Sequence, residues 1–156
     1  MMGPFLFEKN FSMQSVLIVD DEEKLGRFIS IVLKQIGYET LACQSVAEAR
    51  MKIDAQAWSL IITDIVMPRE SGFDLMRWVA RHHPRLPVIA MTAHSSEAIE
   101  NQLPKLGFAD IIYKPFTIDN LRQAVQRLAP LTTPFNLSTS PNFHSSVNSD
   151  DQALQR

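Results

Sequence analysis

The chain has 156 residues, 46% hydrophobic and 21% charged, with a formal net charge of -2 and a single cysteine, Cys43. Such values fit one globular domain with its own core, and the slight acidic excess argues against direct nucleic-acid binding, which draws on Lys and Arg. One cysteine excludes an intrachain disulfide, no apolar run is long enough to span a membrane, and "MMGPFLFEKNFSM" lacks the parts of a signal peptide, so the expected location is the cytoplasm.

The predicted elements alternate. Val16 to Val19 reads as a buried strand. Leu25, Phe28, Ile29, Val32, Leu33 and Ile36 then recur at helical spacing, and Gly37 ends that helix. Tyr38 to Cys43 suits a second strand. Ser45 with Glu48 forms a capping box that opens a helix through about Ala57. Leu60 to Thr63 is a third strand, followed by a loop with Pro68 and Gly72 and a helix from Phe73 to about Arg81. Val88 to Met91 and Ile111 to Tyr113 supply the fourth and fifth strands. The helix between them starts near Ser96 and is expected to be interrupted by Pro104. A last helix after Thr117 carries Leu121, Val125 and Leu128. Strands alternating with helices predict an α/β fold, a parallel sheet covered on both faces. Residues 1–13 fall outside this pattern as an N-terminal extension, 14–129 form the domain, and the Ser-, Thr-, Asn- and Pro-rich stretch 130–156 reads as a disordered tail or linker.

Sheets of this kind collect chemistry at the carboxyl ends of their strands. Asp20 and Asp21 follow the first strand, Asp64 the third, Thr92 the fourth and Lys114 the fifth. Converging carboxylates about 4 Å apart repel by roughly 4 kcal/mol at an effective dielectric of 20. Either one is protonated or a cation binds, and hard oxygens suit Mg²⁺. Lys114 is a compact positive charge for a phosphate oxygen, and Thr92 a hydroxyl donor. A carboxylate between a metal and an ammonium is a nucleophile toward phosphorus. Taken singly, Asp20 and Asp21 also suit the start of a helix, Asp64 a turn, Thr92 an ordinary polar position and Lys114 a solvated surface. Their recurrence at one sheet edge favours the joint reading.

The stretches "VLIVDDEEKL", "LIITDIVMPRESGFDLM", "VIAMTAH" and "GFADIIYKPF" closely resemble the receiver domain of two-component response regulators, chemotaxis regulators among them. The resemblance covers about residues 14–129. It implies a doubly wound, flavodoxin-like five-stranded sheet of order 2-1-3-4-5 flanked by five helices. It further implies that Asp64 accepts a phosphoryl group from a histidine kinase or histidine phosphotransfer protein. Asp21 would ligate Mg²⁺ directly and Asp20 through water, with Asp64 and the backbone carbonyl of Val66 completing the set. Lys114 would pair with the phosphoryl group, Thr92 would swing toward it, and the Lys114–Pro115 bond would be cis. A downstream protein or output domain would read the change near the fourth helix, fifth strand and fifth helix. A receiver of this kind is a signalling protein that supports its own phosphorylation and dephosphorylation, with no turnover of external substrates and no membrane partner.

Departures from the family pattern lie at the output side. Ile111 stands where the family usually places an aromatic switch residue, Tyr113 is two residues away from that place, and Pro104 enters the fourth helix. An interaction module with altered switching and a fragment of a DNA-binding transcriptional regulator both remain open. A haloacid-dehalogenase-type phosphohydrolase would want a second acid where Val66 stands. Among other residues, His82 and His83 suit a helix C-terminus, His94 a solvated loop or the mouth of the site, and Trp58 and Trp78 partial packing. Cys43 reads as a small buried residue.

Overall fold

The computed structural model describes residues 13–131. The expectations for residues 1–12 and 132–156 lie outside the described residues. Five strands, β1 Ser15–Val19, β2 Glu39–Cys43, β3 Leu60–Asp64, β4 Val88–Thr92 and β5 Asp110–Tyr113, form one parallel sheet in the order β2-β1-β3-β4-β5. Five helices alternate with them: α1 Glu23–Ile36, α2 Val46–Ala55, α3 Gly72–His82, α4 Glu97–Lys105 and α5 Ile118–Leu128.

The apolar runs of β1, β3 and β4 are buried residue by residue, because helices cover both faces. Strand alternation sends Leu17, Val19 and Ile61 to one face, packed with Ala49 of α2, Leu75 and Val79 of α3 and Leu103 of α4. Val16, Ile18, Leu60 and Ile62 point to the other face, against Ile29 and Leu33 of α1 and Leu121 and Val125 of α5.

Three local expectations change. Phe28 is 45% exposed rather than on the inner stripe of α1. The buried arc runs through Gly26, Ile29, Ser30 and Leu33, at three- and four-residue steps, and turns Phe28 outward by one helical position. The second helix stops at Ala55, two residues before the expected end. Pro104 does not interrupt α4 but lies one residue before its end, so the bond it cannot donate and the crowding by its ring fall where the helix is already closing. Gly107, at φ 104°, then closes the helix: its N–H bonds to the carbonyl of Pro104 (3.1 Å), and the Phe108 N–H to that of Leu103 (3.2 Å).

At the amino edge of the sheet, the Gln14 carbonyl accepts from Glu39 N–H at 3.0 Å as the chain enters β1. The chain leaves α5 beside the same turn. The buried Tyr38 hydroxyl donates to the Ala129 carbonyl at 2.7 Å, and Leu131 lies against Gly37. The strands thus run from this edge toward the one where Asp20, Asp64, Thr92 and Lys114 gather.

Candidate functional site

Parallel strands place the residues that follow them on one rim, and the order reversal around β1 opens a crevice there. Asp20 leaves β1 with its N–H on the Cys43 carbonyl at 3.0 Å. Its Oδ1 accepts from the Glu22 N–H at 2.8 Å, which fixes the carboxylate across the crevice. Glu22 is itself the N-cap of α1 and Glu23 the first helical residue, so the acids of "DDEE" divide between site and helix. Asp64 is the last residue of β3, and the next amide, Ile65 N–H, bonds to the Met91 carbonyl at 3.0 Å.

Asp20, Asp21 and Asp64 each offer a carboxylate oxygen, and these oxygens lie within 4.8 Å of one another; no other set with metal-ligand spacing occurs among the described residues. Lys114 Nζ stands 3.2 Å from Asp20 Oδ2 and 3.2 Å from Asp64 Oδ2. Asp20 is 1% exposed, whereas Asp21 is open to solvent. Burial is the largest influence on Asp20 and pushes its carboxyl above the ordinary value; the like charge of Asp64 adds to the rise, against the Glu22 N–H and Lys114. Burial works against the Lys114 charge, but the carboxylates of Asp20 and Asp64 outweigh it and hold the ammonium above its usual value.

Three acids face one ammonium, and Asp20, the most deeply buried of them, holds its proton more tightly than usual. Such a set lacks positive charge, and its hard oxygen donors with one open side fit Mg²⁺. Val66 lies in the loop after β3 with its side chain 62% exposed. Among the described residues no hydrogen bond occupies its carbonyl, which leaves that oxygen free as a ligand.

Thr92 ends β4 with its hydroxyl buried and engaged by His94: the His94 N–H donates to Oγ1 at 3.1 Å, and Oγ1 is 3.3 Å from the His94 carbonyl. The Lys114 N–H bonds to the Thr92 carbonyl at 2.8 Å, and the Lys114–Pro115 bond is cis. Ile111 packs half-buried against the core on the α2–α3–α4 face. Burial, then the neighbouring Glu100 carboxylate, pushes the Tyr113 phenol above its usual value.

Away from the rim, His82 Nδ1 lies 2.9 Å from the Trp78 carbonyl at the end of α3, and His83 Nε2 lies 3.1 Å from Asp54 Oδ1. Trp58 Nε1 donates to the Lys52 carbonyl at 2.8 Å. Cys43 is buried, and loss of water pushes its thiol up to about 12.

Gly72 is a site residue that sequence reasoning passed over. A Cβ there would stand 2.3 Å from the Asp64 carbonyl oxygen, so only glycine lets α3 begin so close to the end of β3. Its N–H bonds to the Ile65 carbonyl at 2.9 Å and closes the loop beneath Asp64. The one signal in the sequence was a glycine directly before a helical run.

The family described as "Response regulator receiver domain" matches residues 16–126. The chain is 33% identical over 123 residues to Response regulator protein PilR of Pseudomonas aeruginosa, covering 79% of this chain and 28% of that protein. It is also 33% identical over 118 residues to Transcriptional regulatory protein GltR of the same organism, covering 74% and 48%. Among solved structures, the chemotaxis protein CheY4 of Vibrio cholerae superposes with a TM-score of 0.72 at 27% identity, covering 75% of this chain and 99% of that one. The chain thus spans half or less of the first two relatives.

Proposed function

The chain belongs to the response regulator receiver domain family, signalling modules of two-component systems rather than turnover enzymes, and on that premise we propose that Asp64 accepts a phosphoryl group from a histidine kinase or histidine phosphotransfer protein in a Mg²⁺-dependent step. The observation that carries this reading is the placement of Lys114 Nζ, 3.2 Å from both Asp64 and Asp20, beside carboxylate oxygens clustered within 4.8 Å.

The Asp64 carboxylate oxygen attacks the phosphorus of the donor phosphohistidine. A P–O bond forms, the P–N bond breaks, and its electron pair returns to the imidazole nitrogen. Asp20, Asp21, Asp64 and the Val66 carbonyl would hold Mg²⁺, which would supply charge neutralisation on the transferring group. Lys114 gives up part of its ion pairing with Asp64 to meet a phosphoryl oxygen. Thr92, whose hydroxyl is engaged by His94 alone among the described residues, donates to another. Ile111 at the aromatic position supports a change at the output surface different from that of a receiver with a ring there. The downstream target, be it a separate protein or an output domain, reads that change.

Acetyl phosphate with Mg²⁺ should add one phosphoryl group per chain, measured by intact mass. Asp64→Asn, or chelation of the metal, should abolish it. Labelling of Asp64→Asn at the wild-type stoichiometry would overturn the assignment.

A further inference from the structure

The loop between Asp64 and Gly72 carries the Val66 carbonyl, and its pinning is uneven. The Ile65 N–H on Met91 holds its start, and the Gly72 N–H on Ile65 ties its two ends together. Met67 is buried in the core, and at the other end Ser71 and Asp74 form a reciprocal capping box at the start of α3. Between them, Pro68 and Arg69 are exposed, and Arg69 holds a left-handed φ of 70° that a non-glycine residue adopts only under constraint. Among the described residues, one side-chain tie reaches this stretch: Arg50 Nη1 of α2 on Glu70 Oε1, at 3.2 Å.

Arg50 is built into its place. Its guanidinium lies 5.7 Å from the centroid of the Trp78 ring on α3, and its charge helps hold the Asp74 carboxyl below the usual range, after the larger effects of Ser71 and Arg77. Its Nε is buried without a hydrogen-bond partner. A buried N–H left unpaired is costly, so the guanidinium is oriented by what its other nitrogens hold. Nothing in the phosphoryl-transfer step uses this residue.

We infer that Arg50 is a positioning residue for the metal-binding loop: through Glu70 it fixes the backbone that presents the Val66 carbonyl to Mg²⁺. The inference rests on the metal site proposed above. It makes a prediction opposite in sign to simple electrostatics. Removing a positive charge leaves cation binding unchanged or favours it on electrostatic grounds, so weaker Mg²⁺ binding after loss of Arg50 reports lost geometry.

The test is calorimetric titration of Mg²⁺ into the full chain, with thermal unfolding measured in parallel. Arg50→Met should raise the Mg²⁺ dissociation constant about two- to fivefold, the range expected for a half-exposed ion pair. Labelling at saturating Mg²⁺ should be unchanged. Arg50→Lys, which keeps the charge but loses the fork, should fall between wild type and Arg50→Met. Combining Arg50→Met with Glu70→Gln should raise the constant less than the product of the two single effects. An unchanged or lower dissociation constant in Arg50→Met, or single effects that simply multiply, would overturn the inference. Wild-type chain that binds Mg²⁺ but takes no label would overturn the phosphoryl-acceptor reading alone. Wild-type chain that binds no Mg²⁺ would overturn both.

Discussion

Asp20 combines near-complete burial with a like-charged neighbour, and its carboxyl is pushed above the ordinary carboxylate value. A folded-state value above the unfolded one means that the native chain binds this proton more tightly. The resulting stability is fully present below the unfolded value and is lost as pH rises through the folded one. At neutral pH and without metal, the charge on Asp20 therefore works against the fold. Asp20→Asn, which can still accept from the Glu22 N–H, should stabilise the metal-free protein by about 1 kcal/mol. Calorimetry in EDTA should show a higher melting temperature at pH 7 and a shrinking difference toward pH 3, together with a loss of stabilisation by Mg²⁺. A melting temperature at pH 7 equal to or below that of wild type would contradict this account. At this scale, Asp20, Asp21, Asp64 and Lys114 could be read from the sequence because each follows an apolar strand. Arg50 could not, because its partners Glu70 and Trp78 belong to other elements and no local period links them.

Among the elements, β3 and α3 approach closely where the helix begins, and the tolerance of that contact is set by Gly72. Alanine there forces Cβ to 2.3 Å from the Asp64 carbonyl oxygen, with the Ile65 Cα at 3.0 Å, and both contacts are backbone rather than a flexible side chain. Gly72→Ala should cost about 1–3 kcal/mol of stability by overpacking and should also slow labelling of Asp64, since the shift falls on the strand that carries it. Denaturant unfolding and the labelling rate check the two effects separately; an unaltered labelling rate would mean that α3 alone absorbs the strain. Helix starts were readable where a cap announced them, as Ser45, Ser96 and Thr117 accept from the N–H of Glu48, Ile99 and Asn120. Phe28 and Pro104 misled for a shared reason: one residue of helical phase, or one turn along a helix, decides burial or tolerance, and apolar spacing alone does not resolve either.

Across the whole molecule, the sheet order followed from the resemblance, while strand–helix alternation by itself indicated only a parallel sheet. What joins the last helix to the first turn was hidden in both. Tyr38, beside Gly37, is buried against the α5 end and donates to the Ala129 carbonyl at 2.7 Å. Tyr38→Phe should remove this bond between residues 91 positions apart and lower stability by about 1–2 kcal/mol. In urea, the midpoint should fall with the slope unchanged, because the same surface is exposed on unfolding. A smaller slope would show instead that α5 loosens before the rest of the domain.

The turn that holds Tyr38 also gives the two ends of the domain a common address. Gln14 bonds to Glu39 and Leu131 rests on Gly37, so entry and exit lie within a few residues of one another at the rim far from Asp64. A short flexible linker could join them, which makes the domain a scaffold for circular permutation. New termini cut into the exposed turn at His94–Ser95 would then place a fluorescent reporter at the rim that carries Asp64, with the original ends sealed behind it.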